Sequence, residues 1–407
     1  MKDMYLLFST MSGKSVKITA ECLDIIELGI QENLSTEELL SRLADDEDRA
    51  YFSELFRLLF ENHILTEQGK LETVGIDSFT IELTYRCNLA CKHCSISANT
   101  LREPEVLTAE QLQIILERVA ELQPQAVVFT GGEPMARAEF FELVEYFHSI
   151  SDARLGLMTN GTYISENNID WLVKHFDSFD ISLDGVDEET CSLIRGKNVF
   201  GKVINSVKLL KSHGCDRVSL SMVDVATNHD RIEDFYKLNE ELGTTPMVRA
   251  FEPEGRGLEN ADFLSVDIHE KMTEDEIEKL AEEIGSESRQ RRDGYHCGGG
   301  TREFLINAKG ELYACAPMDM PEFKLGNALD DNFVESVKSG QFRKTDCFRN
   351  MMKCMPYESA ECKDCPYVMF CWNCMHEFYK ARSNPEYFKN RCRLKKKELR
   401  CMWGELV

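Results

Sequence analysis

The sequence predicts an α/β protein: a partial (β/α)6 barrel, preceded by a small winged-helix-like domain and followed by a cysteine-rich domain. Three observations point there. Residues 77–252 alternate six β-rich runs with helical ones, residues 1–76 read as a hairpin and three helices, and residues 253–407 crowd their cysteines into short spacings. Alternating strand and helix implies a parallel sheet with helical crossovers, open or curled into a partial barrel.

In the first zone, Tyr5–Thr10 and Ser15–Ile18 flank Met11-Ser12-Gly13-Lys14, a hairpin pattern. Amphipathic helices are expected near 19–30, 35–44 and 48–62, with Ser35 and Glu38 forming a capping box. Ile64–Thr66 reads as a short closing strand. In the second zone strands are expected at 78–84, 126–130, 154–159, 178–183, 216–222 and 246–251. Helices fit at 108–121, 139–149, 166–175, 200–213 and 228–242. The third zone offers one acidic amphipathic helix, 270–285.

Charge and cysteine usage narrow the chemistry. The 407 residues carry a net charge of −24, which repels nucleic acid, and the basic run Arg391–Lys397 reads as a solvated helix face. Residues 1–76 hold seven basic and 15 acidic side chains, which argues against DNA binding by a winged helix there. There is no secretory signal pattern and no apolar run long enough to span a membrane, so the expectation is a cytoplasmic protein. Sixteen cysteines in such a chain read as metal ligands rather than disulfides.

The chemistry should sit where strands end and loops begin. The first barrel strand runs into Cys87-Asn-Leu-Ala-Cys91-Lys-His-Cys94. Three thiolates on one loop can hold three irons of a cubane cluster and leave the fourth iron open. A zinc site completed by His93 or His296, or inert buried thiols, is the competing reading. The second strand ends in Gly131-Gly132-Glu133-Pro134, where glycines allow a ligand close to the backbone and Glu133 can take an ammonium group. Asn160 ends the third strand, Ser182 and Asp184 close the fourth, and Arg195 follows in Ile194-Arg195-Gly196. Arg249 and Gly255-Arg256-Gly257 form either a cationic wall or a tight loop.

In that order and strand context, the three-cysteine loop and the GGEP turn resemble the radical S-adenosylmethionine (SAM) superfamily over residues 78–252. The resemblance implies that Cys87, Cys91 and Cys94 hold a 4Fe–4S cluster whose open iron chelates SAM. By the same resemblance, a 5′-deoxyadenosyl radical is expected to remove hydrogen from an unactivated C–H bond. It also implies Glu133, Ser182 and Arg195 as SAM contacts, with Gly131, Gly132, Pro134, Asn160 and Asp184 as further cofactor-binding candidates.

Downstream, Cys297 and Cys315 are followed by Cys362-Lys-Asp-Cys365, Cys371-Trp-Asn-Cys374 and Cys392. C-x2-C pairs alone fit zinc as well as iron–sulfur. After a radical SAM core they look like the SPASM extension, which holds two auxiliary 4Fe–4S clusters. The spacing from Cys371 to Cys374 is one residue shorter than that family's usual pattern. The resemblance assigns Cys362, Cys365, Cys371 and Cys392 to the outer cluster, and Cys297, Cys315 and Cys374 to the inner one. Either Cys347 or Cys354 completes the inner cluster, or one iron stays open, and an open iron is the preferred expectation. Cys22, Cys191, Cys215 and Cys401 receive no role.

The first zone resembles the recognition domain fused to maturases of ribosomally made peptides, in which a leader peptide adds a strand to the hairpin. The helix bearing Phe52, Phe56 and Phe60 would support it. The combined expectation is a leader-recognition domain (1–76), a radical SAM partial barrel (77–252) and a SPASM domain (253–407). Its expected partners are a precursor peptide and an electron donor such as flavodoxin or ferredoxin, with no nucleic acid and no membrane. The expected product is a thioether from a cysteine sulfur to carbon, with an auxiliary cluster accepting an electron. The alternative is a carbon–carbon crosslink or a side-chain oxidation, as in sulfatase-activating or quinone-cofactor maturases.

Overall fold

The computed structural model describes residues 4–9, 12–66, 75–265, 294–295 and 297–403, together with 275 and 279. The chain forms two compact units. One gathers Met1–Val74, Ile268–Gly298 and Asn350–Val407; the other gathers Gly75–Asp267 and Gly299–Arg349.

In the first unit, β1 (Met4–Phe8) pairs antiparallel with β2 (Ser15–Thr19), Met4 opposite Thr19. Three helices follow: α1 (Ala20–Gln31), α2 (Thr36–Ser41) and α3 (Asp46–Glu61). Each start is capped by a side-chain oxygen that satisfies an orphan N–H: Thr19 for α1, Ser35 for α2 and Asp45 for α3. The expected Ser35–Glu38 capping box is present. Ile18, Ile26, Leu39, Phe52, Leu55, Phe56 and Leu59 form the core, so Phe52 and Phe56 are spent on packing and Phe60 is only partly buried.

The expected strand at 64–66 does not form. His63 turns into the left-handed region at φ 54°, and the N–H groups of Ile64 and Leu65 donate to the Leu59 carbonyl. The chain folds back over the end of α3, and its apolar residues join the helical core instead of a sheet. The helix expected at 270–285 lies outside the described residues. Near the end of this unit, Trp372, Phe378 and Phe388 pack together, with the Arg391 guanidinium 3.9 Å above the Trp372 ring.

The second unit is built on β3 (Ser78–Glu82), α4 (Ala109–Glu121), β4 (Ala126–Thr130), α5 (Phe140–Ile150), β5 (Arg154–Thr159) and α6 (Ile169–His175). It continues through β6 (Ser178–Ser182), α7 (Glu188–Arg195), α8 (Phe200–Ser212), β7 (Val218–Asp224), α9 (Ile232–Leu242) and β8 (Thr245–Ala250). Strands β3 to β8 lie side by side in chain order, all parallel. The six expected strands are therefore present, in an open sheet of the partial-barrel type.

The sheet also extends past β3. Strand β9 (Glu303–Ile306) pairs parallel with β3, and β10 (Glu311–Tyr313) and β11 (Gly326–Asn327) continue antiparallel. These strands have four, three and two residues, too short to show a period in the sequence. The cysteine-rich third zone is thus divided, with its first part completing the sheet.

Alternation sorts the two faces of the sheet. Phe79, Ile81, Val127, Phe129, Phe179 and Ile181 are at most 1% exposed. Their neighbours Thr80, Thr130, Asp180 and Ser182 point the other way and stay half-buried, so that face is polar. Phe129 packs edge-on against Phe147 and Phe176. Phe129→Ala should therefore cost about 3–5 kcal/mol of stability by urea denaturation. Ile114→Ala, at a position 40% exposed on α4, should cost under about 1 kcal/mol.

Candidate active site

The three cysteines of the first motif lie on the loop that leaves β3. Hydrogen bonds to neighbouring strand ends fix its course. Asn99 N–H donates to the Tyr85 carbonyl at 2.7 Å, and Cys87 N–H donates to the Asn99 carbonyl at 2.9 Å. From the end of β4, Gly132 N–H donates to Thr84 and Glu133 N–H donates to Arg86, both at 2.8 Å.

The two glycines are explained by this seam. A Cβ on Gly131, at φ +133°, would stand 2.3 Å from the Thr84 carbonyl oxygen, and one on Gly132 would stand 2.3 Å from that of Arg86. The sequence suggested a ligand approaching these glycines; here the chain's own backbone does so. Pro134 is buried and starts the short turn Pro134–Ala136.

Glu133 is fully buried and ties the ends of β4 and β5 together. Its carboxylate accepts from the Thr159 hydroxyl at 2.8 and 2.9 Å, from Asn160 N–H at 2.8 Å and from Met135 N–H at 3.2 Å. Burial outweighs these bonds and pushes its pKa up to about 7. The Asn160 amide donates to Asn88 Oδ1 at 2.8 Å, and Asn88 donates onward to Thr162 at 2.8 Å. Ser182 ends β6, half-buried on the polar face of the sheet, its backbone paired in register with Ser221.

Each of the three sulfurs has an N–H aimed at it. Cys87 Sγ receives Leu89 N–H at 3.4 Å and the Asn160 amide at 3.8 Å. Cys91 Sγ receives Arg195 Nη1 at 3.8 Å, and Cys94 Sγ receives Ala98 N–H at 3.3 Å. As thiols, Cys87 and Cys91 are held protonated by burial, Cys87 up to about 11. Metal binding reverses that by displacing the proton, and N–H donors then stabilise the bound thiolate. The donor set fits a cluster in which each thiolate ligates its own iron. Among the described residues, no three His, Cys, Asp or Glu side chains form a site for a single metal ion.

Two anchors were not evident in the sequence. His93, between the second and third cysteines, lies with Nε2 2.5 Å from Asp184 Oδ2. Arg256 clamps the loop from the other side: Nε donates to the Cys91 carbonyl at 3.1 Å and Nη1 to that of Ala98 at 2.9 Å. Gly255, at φ +51°, would set a Cβ 2.3 Å from the Ser95 carbonyl oxygen, which resolves the Gly-Arg-Gly motif as a tight loop packed on the cysteines. Arg249 instead pairs with Asp180 at 2.8 Å.

The later cysteines divide between the units. In the first unit, burial raises the thiols of Cys362 and Cys371 to about 11 and about 12. Cys392 and Cys365 lie close enough to both thiols to raise them further, and Cys362 does the same to Cys371. Cys374 and Cys297, in the same unit, also interact. Cys315 belongs to the second unit, just after β10, as does Cys347, whose Sγ lies 3.9 Å from the Pro321 carbonyl. Cys354 is buried in the first unit. Cys191, given no role, is fully buried with its thiol directed at the Leu183 carbonyl at 3.1 Å.

Residues 81–238 match the family model of the radical SAM superfamily, and residues 297–366 match an iron–sulfur cluster-binding domain, SPASM. The chain thus carries a radical SAM domain and a SPASM domain. Its cofactors are SAM and 4Fe–4S clusters. The mycofactocin maturase MftC of Mycolicibacterium smegmatis is 28% identical over 319 residues, covering 73% of this chain and 78% of the relative. The antilisterial bacteriocin subtilosin biosynthesis protein AlbA of Bacillus subtilis is 28% identical, covering 83% and 75%. The fold is shared with Streptococcus suis SuiB bound to S-adenosylmethionine (TM-score 0.56, 14% identity, 94% of this chain and 97% of that one). It is also shared with anSMEcpe bound to AdoMet and a peptide (TM-score 0.54, 19% identity, 79% and 99%).

The buried Glu133 makes a measurable claim. Its folded-state pKa stands above the ordinary 4.5, so the folded chain holds this proton more tightly than the unfolded one. Stability conferred by Glu133 relative to Glu133→Gln should therefore fall as pH rises from about 4.5 to about 7, by up to about 3 kcal/mol, and then level off. Urea denaturation of the apoprotein and the variant between about pH 5.5 and 8 checks the sign.

Proposed function

We propose that this chain is a maturase of a ribosomally synthesised peptide, installing thioether crosslinks from cysteine sulfur to carbon. The observation that carries the peptide reading is the segment ahead of the radical SAM domain, a two-stranded hairpin followed by three helices. Met4, Tyr5 and Leu6 of β1 are 39%, 50% and 41% exposed. An exposed strand bearing apolar side chains is a template for β-augmentation, with residues 1–76 gripping the leader. The names of the relatives, one a mycofactocin maturase and one a subtilosin biosynthesis protein, support the same substrate class.

In this proposal residues 77–252 do the radical chemistry and residues 253–407 carry the auxiliary clusters. Cys87, Cys91 and Cys94 hold the SAM-binding cluster. Gly131 to Pro134, Asn160, Ser182, Asp184 and Arg195 shape the cofactor site at the strand ends. When bound, SAM and its cluster would supply one-electron hydrogen-abstraction chemistry, the cluster being reduced by a flavodoxin or ferredoxin. The protein's own part is to seat the cysteine loop, present N–H donors to its sulfurs and offer the polar face of the sheet to the peptide. Cys362, Cys365, Cys371 and Cys392 are assigned to one auxiliary cluster. The sequence pattern alone assigns Cys297, Cys315 and Cys374 to the other, with one iron open to a substrate thiolate in preference to ligation by Cys347 or Cys354. Each thioether link removes one hydrogen atom from carbon and one proton and one electron from the thiol, the electron passing to an auxiliary cluster.

The test is reaction with a precursor peptide under anaerobic reduction. A thioether product has two hydrogens fewer per link and one fewer alkylatable cysteine. A product that loses hydrogen while keeping every cysteine alkylatable would replace the thioether with a carbon–carbon link or an oxidation. The paired substitution Tyr5→Asp and Leu6→Asp should raise KM for the peptide about tenfold, a loss of about 1.4 kcal/mol of binding. SAM cleavage without peptide should not change.

A further inference from the structure

The Asp184 carboxylate meets three separate segments around the cofactor site: β7, the cysteine loop and the end of α7. It is fully buried, and it sits at φ 61°, just beyond β6, where a side chain other than glycine is uncommon. Oδ1 accepts Val223 N–H from β7 at 2.6 Å, and Asn228 Nδ2 donates to the Asp184 carbonyl at 3.2 Å. Oδ2 meets two groups from different segments: His93 Nε2 at 2.5 Å and Arg195 Nε at 2.5 Å. His93 lies inside the cysteine motif, and Arg195 is the last residue of α7, with Nη1 on Cys91 Sγ. Lys92 N–H, next to His93, donates to the Ile194 carbonyl at 2.9 Å. The cysteine loop and the end of α7 are thus joined by one backbone bond, one contact from Arg195 to the Cys91 sulfur and one shared carboxylate.

The electrostatics agree with this geometry. Burial opposes the charge on Asp184, but Arg195 and His93 outweigh it and hold the carboxyl well below the usual carboxylate range. An ion pair this deeply buried is poor evidence of a stability function, because desolvation offsets much of the attraction. It does hold the Arg195 guanidinium beside the carboxylate, Nε 2.5 Å from Oδ2, while Nη1 reaches Cys91 Sγ at 3.8 Å.

We propose that Asp184 is a positioning residue for the SAM-binding cluster: through His93 it pins the cysteine loop, and through Arg195 it aims an N–H at the Cys91 sulfur. This rests on the assignment of Cys87, Cys91 and Cys94 to that cluster. Partners that orient ligands are the part of a metal site whose loss loosens the metal without removing a ligand. The cluster should therefore still form without Asp184, but hold its iron less firmly and respond less to SAM.

The test follows iron release to a chelator from reconstituted full-length protein, with the Cys87/Cys91/Cys94→Ala triple variant giving the contribution of the other clusters. Asp184→Ala should release the SAM-cluster iron about tenfold faster, with the rest unchanged. It should weaken the change that added SAM makes in the EPR spectrum of the reduced protein. The His93→Ala/Arg195→Ala double variant should match it, and adding Asp184→Ala to that pair should accelerate release no further, because the carboxylate acts through those two groups. Asp184→Asn, which keeps an acceptor for Val223, should fold as the wild type does and fall between the two. Wild-type release rates in both Asp184 variants, additive effects in the combined variant, or equal loss from every cluster would overturn the positioning role. If Cys91→Ala keeps full iron and the SAM response, the cysteine assignment fails, and the positioning role falls with it for that separate reason.

Discussion

A loop that must carry three metal-binding thiols cannot also pack a hydrophobic core, so its shape has to come from elsewhere. In this protein it comes from backbone seams to the ends of neighbouring strands. Gly132 and Glu133 donate to the carbonyls of Thr84 and Arg86, and Arg256 closes the other side on the carbonyls of Cys91 and Ala98. Buried backbone groups need partners, and satisfying them here is the same act as setting the cysteines in place. The glycines of the second motif follow from that constraint, since any side chain would collide with the backbone they meet.

The parallel sheet makes these seams possible. Because β3 to β6 lie side by side in chain order, their C-terminal ends bring the cysteine loop, the Gly-Gly-Glu-Pro turn, Asn160 and Asp184 to one edge. Two buried carboxylates there do different work. Glu133 accepts only from neutral donors, and burial raises its pKa against the pull of those bonds and of the Arg195 charge. Asp184 faces a guanidinium and an imidazole, and they keep it ionised. The contrast is set by neighbours rather than by depth, since both side chains are fully buried.

Much of this was legible in the sequence, for identifiable reasons. The six parallel strands are apolar enough on their helix-facing side to be read, and strong caps such as Ser35–Glu38 mark helix starts. The cysteine and GGEP motifs announced themselves because rare residue types recur at short spacing. Short elements stayed hidden: β9 to β11 lack the length for a period, and α7 has only eight residues. Ile64 and Leu65 misled because apolar residues after a helix can cap that helix as readily as start a strand. The roles of His93 and Arg256 were illegible because they depend on which loops fold against each other, which spacing does not encode. The Gly-Arg-Gly sequence around Arg256 carried the one local hint, two glycines marking a close backbone approach.

The central claim is that Cys87, Cys91 and Cys94 hold the cluster that works with SAM, apart from the cysteines further along the chain. The most direct measurement is iron and sulfide content, with SAM cleavage to 5′-deoxyadenosine, for protein reconstituted without oxygen and for its Cys87/Cys91/Cys94→Ala variant. About 12 irons per chain falling to about eight, with cleavage abolished, is the expected result for three four-iron clusters of which one is catalytic. Little iron and bound zinc in the wild type, or unchanged iron and continued SAM cleavage in the variant, would contradict it.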